Sequence, residues 1–160
     1  EQQLPFIGTW AGFQHALLEY ALNVLNIKNA SHEETNPDSA VHVINKLSCS
    51  LVGESQTIRV IPETIAFQAY GKESIVEKFQ CNYGLNEKYT KDLNDGKLKI
   101  TGFDMDGNAR IIELPYHRFF IATLYLPQVS SELGSAHPLI LSFIKSVIKY
   151  KKPIKQIQQT

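Results

Sequence analysis

The stretch Gly8-Thr9-Trp10-Ala11-Gly12-Phe13-Gln14 decides how this chain reads. It is a glycine-flanked turn between a short apolar run, Leu4–Thr9, and a segment with apolar residues at Phe13, Leu17, Ala21, Val24 and Leu25. The second spacing is the stripe of a helix packed on a sheet. A sharp strand-to-helix turn lifts its apex side chain clear of the backbone at a helix N-terminus, where the dipole favours a developing anion. This is the layout of a nucleophile elbow. Its apex here is Trp10, whose indole has no ionisable nucleophile and is large enough to fill a pocket. The residues mark a site and argue against the expected chemistry in it.

Outward from the elbow, Asn26 to Asp38 is polar and ends in Asn36-Pro37-Asp38-Ser39, a turn or helix start. Short β-prone runs are expected at Cys49–Val52, Thr57–Ile61 and Ile75–Tyr83, and a short helix at Asn86–Asn94. Leu98–Phe103 and Arg110–Leu114 flank Asp104-Met105-Asp106-Gly107-Asn108, which predicts a hairpin because Asp-Gly tolerates positive φ. Phe119–Tyr125 is a continuous apolar run, as in a strand buried on both faces. Pro138–Tyr150 predicts a closing helix, with proline where its missing N–H costs nothing. Helices flanking buried strands argue an α/β architecture with a β-hairpin elaboration. Residues 151–160 read as a basic tail, with Lys151-Lys152 before Pro153.

At 160 residues, 43% hydrophobic and 20% charged, one soluble domain is expected. Sixteen basic residues balance sixteen acidic ones, so no net field favours nucleic acid or a membrane surface. No apolar run approaches the ~20 residues of a membrane span, and no signal peptide opens the sequence. Cys49 and Cys81 do not make a disulfide framework, which argues for a reducing, cytoplasmic setting. His15, His32, His42, His117 and His137 lack metal-ligand spacing, so neither a metal nor another cofactor is expected.

Several stretches in one register resemble a known family. They are Leu4-Pro5-Phe6-Ile7-Gly8, Ala69-Tyr70-Gly71-Lys72-Glu73, Tyr83 followed by Leu85-Asn86, and Ile111-Ile112-Glu113-Leu114-Pro115 with His117. Phe119-Phe120-Ile121-Ala122-Thr123 and the helix after His137 complete the set. Together they resemble the glutamine amidotransferase domain of CTP synthase, and its selenocysteine-bearing relatives. The resemblance implies a class I glutamine amidotransferase-like, flavodoxin-like three-layer sandwich. That domain would cover residues 1–150, with the sequence starting just before the elbow and lacking the N-terminal part of the domain.

The same resemblance implies a Cys–His–Glu triad that hydrolyses glutamine. Its nucleophile falls on Trp10, and its His-Pro-Glu motif on Leu126-Pro127-Gln128. Leucine accepts no proton, and a neutral amide stabilises no imidazolium. All three catalytic positions are degenerate. Among the family's substrate-binding positions, the glutamine matches Gln14, the ammonium-binding glutamate matches Glu34, and the carboxylate-binding arginine falls on Asn82. Losing that guanidinium forfeits a charge-assisted pair of roughly 1.5–3 kcal/mol. A glutamine-like small molecule is expected to bind weakly at best.

Two alternatives stay open from the residues. Cys81 and Cys49 are either displaced nucleophiles or redox thiols near the substrate pocket, or buried thiols in strands. Trp10 is either the native residue or stands where a UGA codon encodes selenocysteine, in which case the two thiols become resolving partners. The first of these two readings gives a binding or regulatory pseudoenzyme, the second a selenium- or cysteine-dependent hydrolase or redox enzyme. A second copy or a partner subunit is expected over any open sheet edge.

Overall fold

The computed structural model describes residues 3–150. In chain order its elements are β1 (Phe6–Thr9), α1 (Ala11–Asn23), β2 (Ser31–His32), β3 (His42–Lys46), β4 (Ser55–Val60), α2 (Ile65–Tyr70) and β5 (Ser74–Lys78). Then come β6 (Tyr83–Leu85), α3 (Thr90–Asp95), β7 (Lys99–Phe103), β8 (Ala109–Glu113), β9 (Phe120–Thr123) and α4 (Pro138–Tyr150). Six strands form one sheet in the order β1-β9-β8-β7-β4-β5, and β2-β3-β6 form a second. The fold is mixed α/β, as expected. In the larger sheet β1 and β9 run parallel, with Phe6 opposite Phe120 and Thr9 opposite Thr123, while the remaining neighbours are antiparallel.

The elements with local signals form where the sequence puts them. Pro5 has no N–H for a ladder, so the strand expected from Leu4 begins at Phe6, whose N–H donates to the Phe119 carbonyl at 2.9 Å. Helix α1 buries Phe13, Leu17 and Ala21 completely, each large side chain contributing about 1.5–3 kcal/mol. It ends at Asn23, so Val24 leaves the stripe and is 52% exposed. The β7–β8 hairpin turns at Gly107, φ +88°, and the Asp104 carboxylate gathers the N–H groups of Asp106 and Asn108. Its other oxygen meets the buried Arg110 guanidinium at 2.6 Å. Ile121 through Tyr125 are fully buried, as a strand between β1 and β8 requires.

Elsewhere the structure corrects the reading. Cys49–Val52 is not a strand: Ser50 Oγ takes the Val52 N–H and Gly53 adopts φ +78°, turning the chain into a loop. Ile75–Tyr83 is not one strand but β5 and β6, in different sheets. Between them the carbonyls of Phe79 and Cys81 accept the N–H groups of Gly53 and Leu51, so the backbone exchanges strand partners for that loop. Three elements were overlooked, β2, β3 and α2. The last had a local signal, since Thr64 Oγ1 caps the Phe67 N–H and Gly71 ends the helix at φ +69°. Its other cap is distant in sequence. Glu113, 1% exposed, accepts the N–H groups of Ile65 and Ala66 and the Thr101 hydroxyl at 2.8–2.9 Å. The basic tail at 151–160 lies outside the described residues.

Strand β1 is the edge of the larger sheet. Phe6 stacks on Phe120 with centroids 4.5 Å apart and remains 37% exposed. Among the described residues no helix is long and apolar enough to cross a membrane.

Candidate functional site

The elbow is held by its surroundings. Gly8 has no room for a side chain: a Cβ there would lie 3.0 Å from the Gly12 carbonyl carbon and 3.1 Å from the Ala122 Cβ. That contact brings β1, α1 and β9 together behind the turn. Trp10 sits at φ 50°, ψ −107°, outside the regions an L side chain prefers, and its N–H donates to the Thr123 carbonyl at 2.9 Å. The N-cap residue Trp10 makes no side-chain capping bond to α1, and the helix's first turn holds no acid. The first free N–H groups of the helix therefore point at whatever lies over the elbow.

Leu126 and Gln128 follow β9 at the same end of the paired strands. Gln128 opens toward solvent in the turn Pro127–Ser130, and its Nε2 donates to Thr9 Oγ1 at 3.4 Å. Leu126 is half-buried. The indole, large enough to fill a pocket, is instead 47% exposed.

One helical turn past Trp10, Gln14 is 6% exposed and fully engaged. Its Nε2 donates to the Tyr83 carbonyl at 2.9 Å, and its Oε1 meets His32 Nε2 at 3.2 Å. The Glu34 N–H donates to His32 Nδ1 at 3.1 Å, which puts the imidazole proton on Nε2 and makes His32 a neutral donor to Gln14. Burial lowers the His32 pKa below its ordinary value, against the pull of Glu34. His32 was not singled out as a site residue. Glu34, two residues on, was, but the tie of His32 to Gln14 across 18 residues has no local signature.

The two carboxylates of this loop differ in their surroundings. Glu34 is exposed and reaches the cluster through its backbone alone, whereas Glu33 Oε2 is fixed by the Lys46 N–H at 2.6 Å. Asn82 is exposed, and its carbonyl accepts the Leu47 N–H at 2.8 Å. It stands next to Tyr83, whose carbonyl Gln14 holds, so the Asn82 backbone lies one residue from the Gln14 contact.

The two thiols part company. Cys81 is buried, and desolvation pushes its pKa up to about 11 against the field of Arg110. A thiol so held is a poor nucleophile at neutral pH. Cys49 is exposed, in the loop and not in a strand. Among the described residues no three His, Cys, Asp or Glu side chains are grouped to hold a metal.

No protein-family model matches the chain. It is 35% identical over 156 residues to a CTP synthase of Saccharolobus solfataricus, an alignment covering 92% of this chain and 29% of that protein. A CTP synthase of Synechocystis is 33% identical over 164 residues, covering 93% and 29%. The chain thus spans about three-tenths of the length of these curated relatives. Among solved structures, the CTPS glutaminase domain of Trypanosoma brucei with bound acivicin matches at TM-score 0.86 and 25% identity, over 92% of this chain and 61% of that one. With an elbow, a parallel strand pair and a hairpin in the expected order, the chain is a class I glutamine amidotransferase-like domain resembling the glutaminase domain of CTP synthase.

Proposed function

We propose that this domain binds or regulates and does not hydrolyse glutamine. One observation carries the reading. The elbow and the turn after β9 hold Trp10, Leu126 and Gln128 at one end of the β1–β9 pair, and none of these can act as nucleophile, base or charged orienting acid. The pocket's polar remainder serves the fold. Gln14 cross-links α1 to β6, and Asn82 offers an amide where the family pairs a substrate carboxylate with arginine. The test is ammonia release from glutamine by the purified chain. None is expected above a heat-killed control. Release that exceeds the control and is abolished by Cys81→Ser would overturn the proposal.

A second reading is favoured by the backbone at Trp10. A half-exposed indole gains little from a conformation at φ 50°, ψ −107°, which costs roughly 1–3 kcal/mol. The geometry suits a nucleophile better than it suits tryptophan. In this reading residue 10 is natively selenocysteine, whose selenol ionises without help from a base, so that Leu126 is no obstacle. Cys49, exposed, is then a better resolving thiol than Cys81. The mass of the peptide spanning residue 10, taken from the native source, decides between tryptophan and selenium.

A further inference from the structure

Helix α4 has two apolar sides, and the fold uses one of them. Leu139 is fully buried, the Phe143 ring lies 6.0 Å from that of Phe119, and the Arg118 guanidinium stands 4.8 Å from the Tyr150 ring centroid. By the helical period these three residues share one side, and they fix the helix to the body of the domain. Leu141, Ile144 and Ile148 lie on the opposite side and are 42%, 47% and 66% exposed. Lys145 and Lys149, both exposed, run along one border of that stripe. Single exposed apolar residues are ordinary, but a contiguous stripe rimmed by charge marks an interaction surface.

Charge says what covers the stripe. The net charge of zero hides a local asymmetry: after Glu132 the sequence holds Lys145, Lys149, Lys151, Lys152 and Lys155 and no acidic residue. The last three of these lie outside the described residues. A second copy of α4 would set lysines against lysines, and residues 151–160 carry no acid to neutralise them. Those charges call for an anionic partner, and the aliphatic stripe for one with an apolar layer, which a nucleic-acid backbone lacks. The stripe is also the convex outer side of a helix. A peptide is held best in a groove, whereas a lipid headgroup layer yields around a convex amphipathic helix. We propose that α4 docks this domain on an anionic membrane surface. Leu141, Ile144 and Ile148 face the acyl chains, and Lys145 and Lys149 meet the acidic headgroups. The helix has 13 residues and lies in the interface without spanning it. This surface shares no residue with the elbow and is independent of the reading given to it.

The test is flotation of the full chain with vesicles of phosphatidylcholine alone and of phosphatidylcholine mixed equally with phosphatidylserine. Saturable binding to the mixed vesicles is expected, about tenfold or more tighter than to the neutral ones and weakened by salt. Lys145→Gln/Lys149→Gln should weaken it about tenfold or more, and Ile144→Ser/Ile148→Ser by about the same factor. All four side chains are exposed, so both variants are expected to keep the circular dichroism of the parent chain. The lysine variant keeps the test decisive even where the serine variant does not fold. No binding to the mixed vesicles, equal binding to the neutral ones, or unchanged binding in either folded variant overturns the proposal. Unchanged binding would place the attraction in the lysines beyond Tyr150. Capture by soluble poly-L-glutamate of a chain that ignores the mixed vesicles would also overturn it, and would assign this face to an acidic protein.

Discussion

Gln128 Nε2 donates to Thr9 Oγ1, tying the turn after β9 to the residue just before the elbow apex. The positions assigned to nucleophile and orienting acid are thereby held in one frame, though neither side chain can perform the chemistry. Rebuilding the chemistry is therefore a matter of side chains. Trp10→Cys alone is expected to give no turnover, because a thiol with pKa near 8.5 stays mostly protonated at neutral pH and Leu126 accepts nothing. Trp10→Cys/Leu126→His/Gln128→Glu is expected to release ammonia from glutamine. A single variant as active as the triple would show that another residue serves as base.

Relieving the elbow should stabilise the chain. Trp10→Gly removes strain of roughly 1–3 kcal/mol and adds roughly 0.5–1 kcal/mol of backbone entropy cost. The indole it deletes is 47% exposed. A net gain of about 1 kcal/mol is expected in chemical denaturation. A loss of stability would mean that indole packing outweighs the strain.

Gly8 is expected to be intolerant of even one methyl group. A Cβ there lies 3.0 Å from backbone of α1 and 3.1 Å from Ala122, neither of which can swing away. Gly8→Ala should cost about 1–3 kcal/mol by overpacking. A calorimetric Tm within a degree of the parent chain would show that α1 shifts on β1 without penalty.

His32 couples the Gln14 cluster to pH. Its folded pKa lies below its ordinary 6.5, so around and below that pH the unfolded chain binds more protons than the folded one. Its stabilising contribution is full above about pH 6.5 and is lost as pH falls below that value. Protonation at Nδ1 would also break the bond from the Glu34 N–H. Tm is expected to fall more steeply from neutral to mildly acidic pH in the parent chain than in His32→Gln. Parallel profiles would remove His32 from the account.

Breaking the hairpin's buried ion pair should be costly. Asp104→Ala strands the Arg110 guanidinium, 3% exposed, with Gln56 Oε1 and the Ala109 carbonyl as its remaining partners. A loss of about 3–5 kcal/mol is expected in urea denaturation. A change below 1 kcal/mol would indicate that water reaches the guanidinium.

Some features were determined by short-range chemistry and are legible in the sequence. The elbow turn, the Asp-Gly hairpin, the doubly buried run ending at Tyr125 and helix α4 each depend on residues within a few positions of one another: glycine φ, proline's missing N–H, apolar periodicity. The tertiary structure alone decided features whose partners lie far apart in the chain. Ile75–Tyr83 divides between two sheets because the Leu51 and Gly53 N–H groups claim its central carbonyls. Glu113 caps α2 from 47 and 48 residues away, and Gln14 meets Tyr83 across 69. Glu77 draws Tyr70 and His137 to one carboxylate oxygen, from 7 and 60 residues away. Local preference reports what a backbone segment can adopt on its own. Which buried donor finds which acceptor is set by desolvation after the chain has packed, when every polar group removed from water must find a partner wherever the fold supplies one.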